Sequence, residues 1–107
     1  MLQNAFQALQ SGAPEQAEAI SREWLRTAPD HEGGLLLLAL SLDTQGRSLE
    51  ALTVFERLAT LYPHTAAHWV NLGNVRRTLG YAASAREAYA LRVAEVRAEV
   101  GRLLAGR

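Results

Sequence analysis

The sequence repeats itself every 34 residues, and that period constrains the fold more than any other feature. Gly12, Gly46 and Gly80 fall in register, as do Ala17, Ala51 and Ala85. Pro29 aligns with Pro63, Leu38 with Leu72, and Thr44 with Thr78. Small residues coincide at Ala5, Ala39 and Gly73, and large apolar ones at Leu35/Trp69 and Phe55/Tyr89. A period of this length belongs to stacked supersecondary units, each too small to bury its own apolar face.

Each unit reads as a pair of helices, and no segment reads as strand. In the second unit, Asp30 is a candidate cap for a helix running to about Thr44. Gly46 then turns the chain, and Ser48 is positioned to cap the next helix. Leu49, Leu52, Phe55 and Leu58 follow at spacings of three, which predicts an apolar stripe facing the core. Pro63 lacks a backbone N–H and closes that helix, while Pro14 suits the first turn of its counterpart in unit one. By the same register, Gly80 is expected to turn the chain within the third unit.

The segment Trp69-x-x-Leu72-Gly73, followed by Gly80, Ala85 and Tyr89, resembles the tetratricopeptide repeat (TPR) family. Units of 1–31, 32–65 and 66–99 span almost the whole chain, the first lacking its opening residues. Arg76 departs from the family's usual large apolar residue, and Ser21 replaces an aromatic that Trp24 compensates one turn later. The resemblance implies an all-α fold, a right-handed superhelix of antiparallel helix pairs (an α-solenoid). It implies that Trp69 and Leu72 belong to the core, and that Gly73 lets paired helices approach closely. Arg97 occupies the place of the closing proline. The last helix is therefore expected to run from about Ala82 to Leu104, carrying Ala85, Tyr89, Val93, Val96, Val100 and Leu103 at spacings of four and three.

The chain has no cysteine and no lysine, which excludes disulfides, thiol catalysis, lysine Schiff bases and Walker-type phosphate loops. The arginine and alanine bias fits a GC-rich, bacterial coding sequence. Of the three histidines, His64 and His68 have a four-residue spacing suited to metal ligands, but no third ligand completes a site. His31, His64 and His68 are thus expected to be solvent-exposed. No catalytic motif is present, and neither a metal nor another cofactor is expected.

Residues 1–70 carry four arginines against eight acids, a net of −4; residues 71–107 carry seven against three, a net of +4. Overall neutrality argues against nucleic acid, and the longest apolar run, Leu35 to Leu40, is too short for membrane insertion. With no signal peptide visible, a cytoplasmic location is expected.

Recognition of a protein or peptide is the function that the resemblance implies, in a concave groove lined by the first helix of each unit. The groove candidates are Phe6, Leu36, Leu40, Asp43, Val70, Asn71, Asn74 and Arg77, with Leu2 and Leu9 beside Phe6. Asn71-Leu72-Gly73-Asn74 resembles the TPR arrays of O-linked GlcNAc transferases, where asparagines hold a peptide backbone; an amide offers donor and acceptor together. The lysine-containing clamp of chaperone-binding TPR domains is absent. Two alternatives stand beside this one. Val93, Val96, Val100 and Leu103 form a seam suited to a homodimer, and the chain also fits the scaffolding end of a larger enzyme.

Overall fold

The computed structural model describes the backbone of residues 2–106, and the side chains of residues 2–80 and 93–106. Five α-helices and no strand occur among the described residues: α1 (Leu2–Gln10), α2 (Pro14–Thr27), α3 (Glu32–Thr44), α4 (Ser48–Leu61) and α5 (Ala66–Ala105). Each helix packs on the next, and α1 also touches α3. The molecule is elongated, 72 × 28 × 22 Å. No helix among the described residues is long and apolar enough to cross a membrane.

Local backbone geometry recurs at the same period as the sequence. Gly12 and Gly46 adopt φ of 82° and 77°, a left-handed conformation that glycine enters without a Cβ penalty. After each, the N–H of the following residue closes on the helix just ended: Ala13 donates to Ala8 O at 2.8 Å, and Arg47 to Leu42 O at 2.9 Å. At the far ends of α2 and α4, Ala28 N–H donates to Trp24 O and Tyr62 N–H to Leu58 O, again 34 residues apart. Two helical hairpins, α1–α2 and α3–α4, follow from these turns.

The core runs between α3, α4 and the start of α5. Leu35, Leu38, Ala39, Leu42, Ala51, Phe55, Leu58, Ala59, Leu72 and Val75 form one buried cluster. α3 is apolar nearly all round because it is flanked by α1, α2 and α4, as its run of leucines requires. Ala5, Ala17, Ala39 and Ala51 are wholly buried, so the recurring small residues mark where helices press together. Gly34 is a further close approach. A Cβ there would meet Leu25 Cδ2 at 2.9 Å and Trp24 Cδ1 at 3.2 Å.

Several expectations are corrected. Leu49 is 71% exposed and leaves the stripe, which is instead Ala51, Phe55, Leu58 and Ala59. Spacings of three drift around a helix of 3.6 residues per turn, so Leu49 stands about 180° from Leu58. His31, not Asp30, caps α3: its Nδ1 accepts from Gly34 N–H at 3.1 Å. Ser48 is the first residue of α4 rather than its cap, and its hydroxyl lies 3.5 Å from Asp43 Oδ1.

The largest difference lies at Gly80. Here the chain does not turn, and α5 continues unbroken for 40 residues. Gly12 and Gly46 are followed within two residues by Pro14 and Ser48, which begin new helices; Gly80 is followed by Tyr81-Ala82-Ala83, which offers neither a proline nor a cap. A single glycine costs a helix about 1 kcal/mol, less than the nucleation of a new helix. Ala85 and Tyr89 have side chains outside the described residues.

Candidate functional site

α1, α3 and the first half of α5 carry all eight groove candidates. On α1, Ala5 and Ala8 turn into the body, and Phe6 is left 50% exposed between the partly covered Leu2 and Leu9. On α3, Leu36, Leu40 and Asp43 follow one stripe at spacings of four and three. Leu36 and Leu40 are half-buried and pack on the core cluster, and Asp43 is exposed. On α5, Leu72 and Val75 face α4 and are buried, which leaves Val70 60% exposed, Asn71 half-buried, and Asn74 and Arg77 exposed. The two halves of the site differ in chemistry: α1 and α3 offer apolar surface, and α5 offers amides and a guanidinium.

Asn74 and Arg77 lie one turn apart. Arg77 Nη2 makes a long contact of 3.4 Å to Asn74 Oδ1, and the Asn74 carbonyl accepts from Thr78 Oγ1 at 3.1 Å. Because the pair is exposed, both the amide N–H groups of Asn74 and the remaining donors of Arg77 face solvent, where they can meet peptide carbonyls or a carboxylate. Arg76, one residue before, instead reaches back towards Glu56 on α4 at 3.9 Å.

The start of α5 is fixed against α3 by a polar contact that the sequence reading missed. His68 is 2% exposed, contrary to the expectation that all three histidines face solvent; His31 and His64 do. Its Nε2 lies 2.8 Å from Glu32 Oε2, and the Thr65 hydroxyl donates to the same oxygen at 3.3 Å. Tyr62 meets the His68 ring edge-on at 6.3 Å. The spacing that suggested a metal pair instead straddles the helix start, so one histidine turns in and the other out. A glutamate 36 residues upstream was the available signal, but only the tertiary approach of the start of α5 to the first residue of α3 makes it one.

A second polar cluster locks the first hairpin to the second. Glu18 on α2 accepts from Gln45 Nε2 at 2.9 Å, Arg47 Nη1 at 2.6 Å and Arg22 Nε at 2.8 Å. The Gln45 amide, followed by Arg22, holds the Glu18 carboxyl below its ordinary value. Glu50, ahead of Glu18, raises the Arg47 guanidinium. Arg57 on α4 pairs with Asp30, and Tyr62 donates to the Asp30 carbonyl, tying α4 to the α2–α3 connection. These contacts fix the angle between the two hairpins and hence the spacing of α1 and α3.

The seam candidates are displayed on the second half of α5. Val93 is partly covered, whereas Val96, Val100 and Leu103 are 57%, 49% and 62% exposed, with Leu104 beside them at 63%. Trp69 is 49% exposed rather than part of the core, and its indole N–H donates to Pro63 O at 2.8 Å. An open depression of ≈ 550 Å³ lies elsewhere, on α2, lined by Ala19, Ile20, Glu23, Trp24 and Thr27. No protein-family model matches the chain, and no curated protein is found similar to it.

Proposed function

We propose that the chain is a TPR-like, non-enzymatic recognition module of the cytoplasm, built as a right-handed solenoid, that holds a protein or peptide segment along α1, α3 and α5. The observation that carries this reading is the exposure pattern on those three helices. Residues close in sequence to buried ones, Phe6 next to Ala5 and Val70 two before Leu72, are left half or more uncovered. Leu36 and Leu40 add half-buried apolar surface on α3, and Asn71, Asn74 and Arg77 add polar donors on α5. Few, directed polar groups beside apolar surface are what a peptide-binding groove needs. The 34-residue recurrence of the glycine turns and their hydrogen bonds supports the repeat reading on which the groove rests.

The test begins with peptides selected from a random display library on the immobilised chain. The double variant Val70→Asp/Asn74→Ala alters only exposed side chains and so leaves helicity intact; it is expected to weaken a selected peptide at least tenfold, which is about 1.4 kcal/mol. Leu40→Asp is a poorer probe, because Leu40 also packs on the core. Unchanged affinity in the double variant and in Phe6→Asp would remove the groove reading.

A further inference from the structure

The first half of α5 presents a face whose counterparts elsewhere in the chain are covered. In the 34-residue register Gly73 matches Ala5 and Ala39, both 0% exposed, and Trp69 matches Leu35, 3% exposed. On α5, Trp69 is 49% exposed. Among the described residues, nothing comes within 4 Å of where a Cβ on Gly73 would stand. In the second unit, α3 is covered in part by the helix after the glycine turn, α4, with Ala51 and Phe55 in the shared core. The sequence counterpart of that stretch of α4 begins near Ala82 and carries Ala85 and Tyr89.

A helix that runs straight through Gly80 cannot lie back on itself. Residues 82–105 travel away from the Trp69–Gly73 face, about 36 Å at 1.5 Å per residue. The chain therefore holds both halves of a hairpin that it does not close: an acceptor face on residues 66–80 and a donor helix beyond it. Two copies with antiparallel α5 helices, crossing near Gly80, bring each donor onto the other's acceptor. The operation is reciprocal and two-fold, so it closes without leaving an unpaired end. Charge favours it modestly: the donor, residues 82–105, carries four arginines against three glutamates, a net of +1, and meets a body, residues 1–70, of net −4. The exposed Val96 and Val100 travel with the donor helix.

We infer that two copies of this chain complete each other's third hairpin by exchange, residues 82–105 of one lying along the Trp69–Gly73 face of its partner. The inference rests on the 34-residue register invoked above but not on peptide binding. Its acceptor residues, Trp69 and Gly73, are distinct from the peptide-directed Val70 and Asn74.

The absence of cysteine makes the arrangement directly testable. In the double variant Gly73→Cys/Ala85→Cys, mild oxidation is expected to give a chain-to-chain disulfide, seen as a doubled mass on a non-reducing gel and by light scattering. A disulfide within one chain, or a monomer with no disulfide, would overturn the exchange. So would equal cross-linking by Gly73→Cys alone. As a second arm, Tyr81→Asn/Ala82→Pro introduced into the cysteine pair supplies the turn and helix start that Gly80 lacks. It is expected to convert the dimer to a monomer with the disulfide inside one chain; a dimer that persists would also refute the inference. A monomeric chain that still binds selected peptides through Asn74 would reject the exchange and leave the groove reading standing.

Discussion

The body formed by α1–α4 and the long helix α5 obey the same sequence period with different outcomes. In the body every recurring small residue is buried and every recurring glycine turns the chain: Ala5, Ala17, Ala39 and Ala51 are wholly covered, and Gly12 and Gly46 have positive φ. On α5 no described residue comes within 4 Å of a Cβ at the corresponding Gly73, and Gly80 lies inside a continuous helix. The difference teaches that a repeat motif specifies a pattern of faces, while a helical hairpin also needs a start signal after its glycine. Pro14 and Ser48 sit where a new helix begins; Tyr81 and Ala82 continue the old one.

The contrast is broken most strongly by truncating equivalent apolar surface in the two regions. Phe55, 1% exposed in the body, is expected to lose about 3–5 kcal/mol on Phe55→Ala, from lost transfer energy and the cavity left behind. Domains of this size have only about 5–15 kcal/mol in all, so urea unfolding followed by circular dichroism should show a large fall in midpoint. Val96→Ser, at a 57% exposed site on α5, is expected to move an isolated chain by no more than about 0.5 kcal/mol. A larger, concentration-dependent loss at Val96 would show that the helix is covered by a second copy.

Glycine substitutions sharpen the comparison with a change of sign. Gly46→Ala places a Cβ at φ 77° and is expected to destabilise by about 1–2 kcal/mol. Gly73→Ala puts the same methyl group into empty space within a helix, where it is expected to stabilise by up to about 1 kcal/mol. Paired thermal melts measure both; destabilisation at Gly73 would mean that the face is more tightly covered than its Ala39 counterpart.

The smallest expected effect concerns Glu18, which joins the two hairpins of the body and has no counterpart on α5. Its carboxyl is held below the ordinary value, first by Gln45 and then by Arg22. A depressed folded-state value means that the stabilisation is present above the unfolded carboxyl pKa of about 4.3 and is lost as pH falls through the folded value. Glu18→Gln is therefore expected to cost about 1 kcal/mol at neutral pH. The difference from the native chain should shrink on acidification below the unfolded value. Denaturant midpoints of both proteins at neutral and acidic pH check the sign, and a gap that widens in acid would contradict it.

Much of the body was legible from residue type. Pro14 opens α2, Thr44 ends α3, and Leu35, Leu38, Ala39 and Leu42 are buried as their spacing requires. The misses have local physical causes. Leu49 belongs to a spacing of three that drifts off the core face, and α3 begins at Glu32, so that His31 stands at the cap position while Asp30 pairs with Arg57. His68 reads as a surface residue until the start of α5 is brought beside the first residue of α3, where Glu32 faces it. In the candidate site, the positions of Phe6, Val70, Asn74 and Arg77 on their helices followed from periodicity, whereas the partial burial of Leu36 and Leu40 depended on neighbouring elements.

By itself the sequence determined that this chain is helical, where its first four helices lie, and which side chains share each face. It did so because helical period and turn chemistry act over a few residues. Tertiary structure alone decided which faces are covered: that Trp69 and Gly73 stand open, that His68 is buried, and that α5 projects beyond the body as one helix. A repeat fixes the direction of a side chain about its own helix axis, but burial depends on what lies opposite, and on α5 the helix that the repeat provides has been carried away by its own continuity.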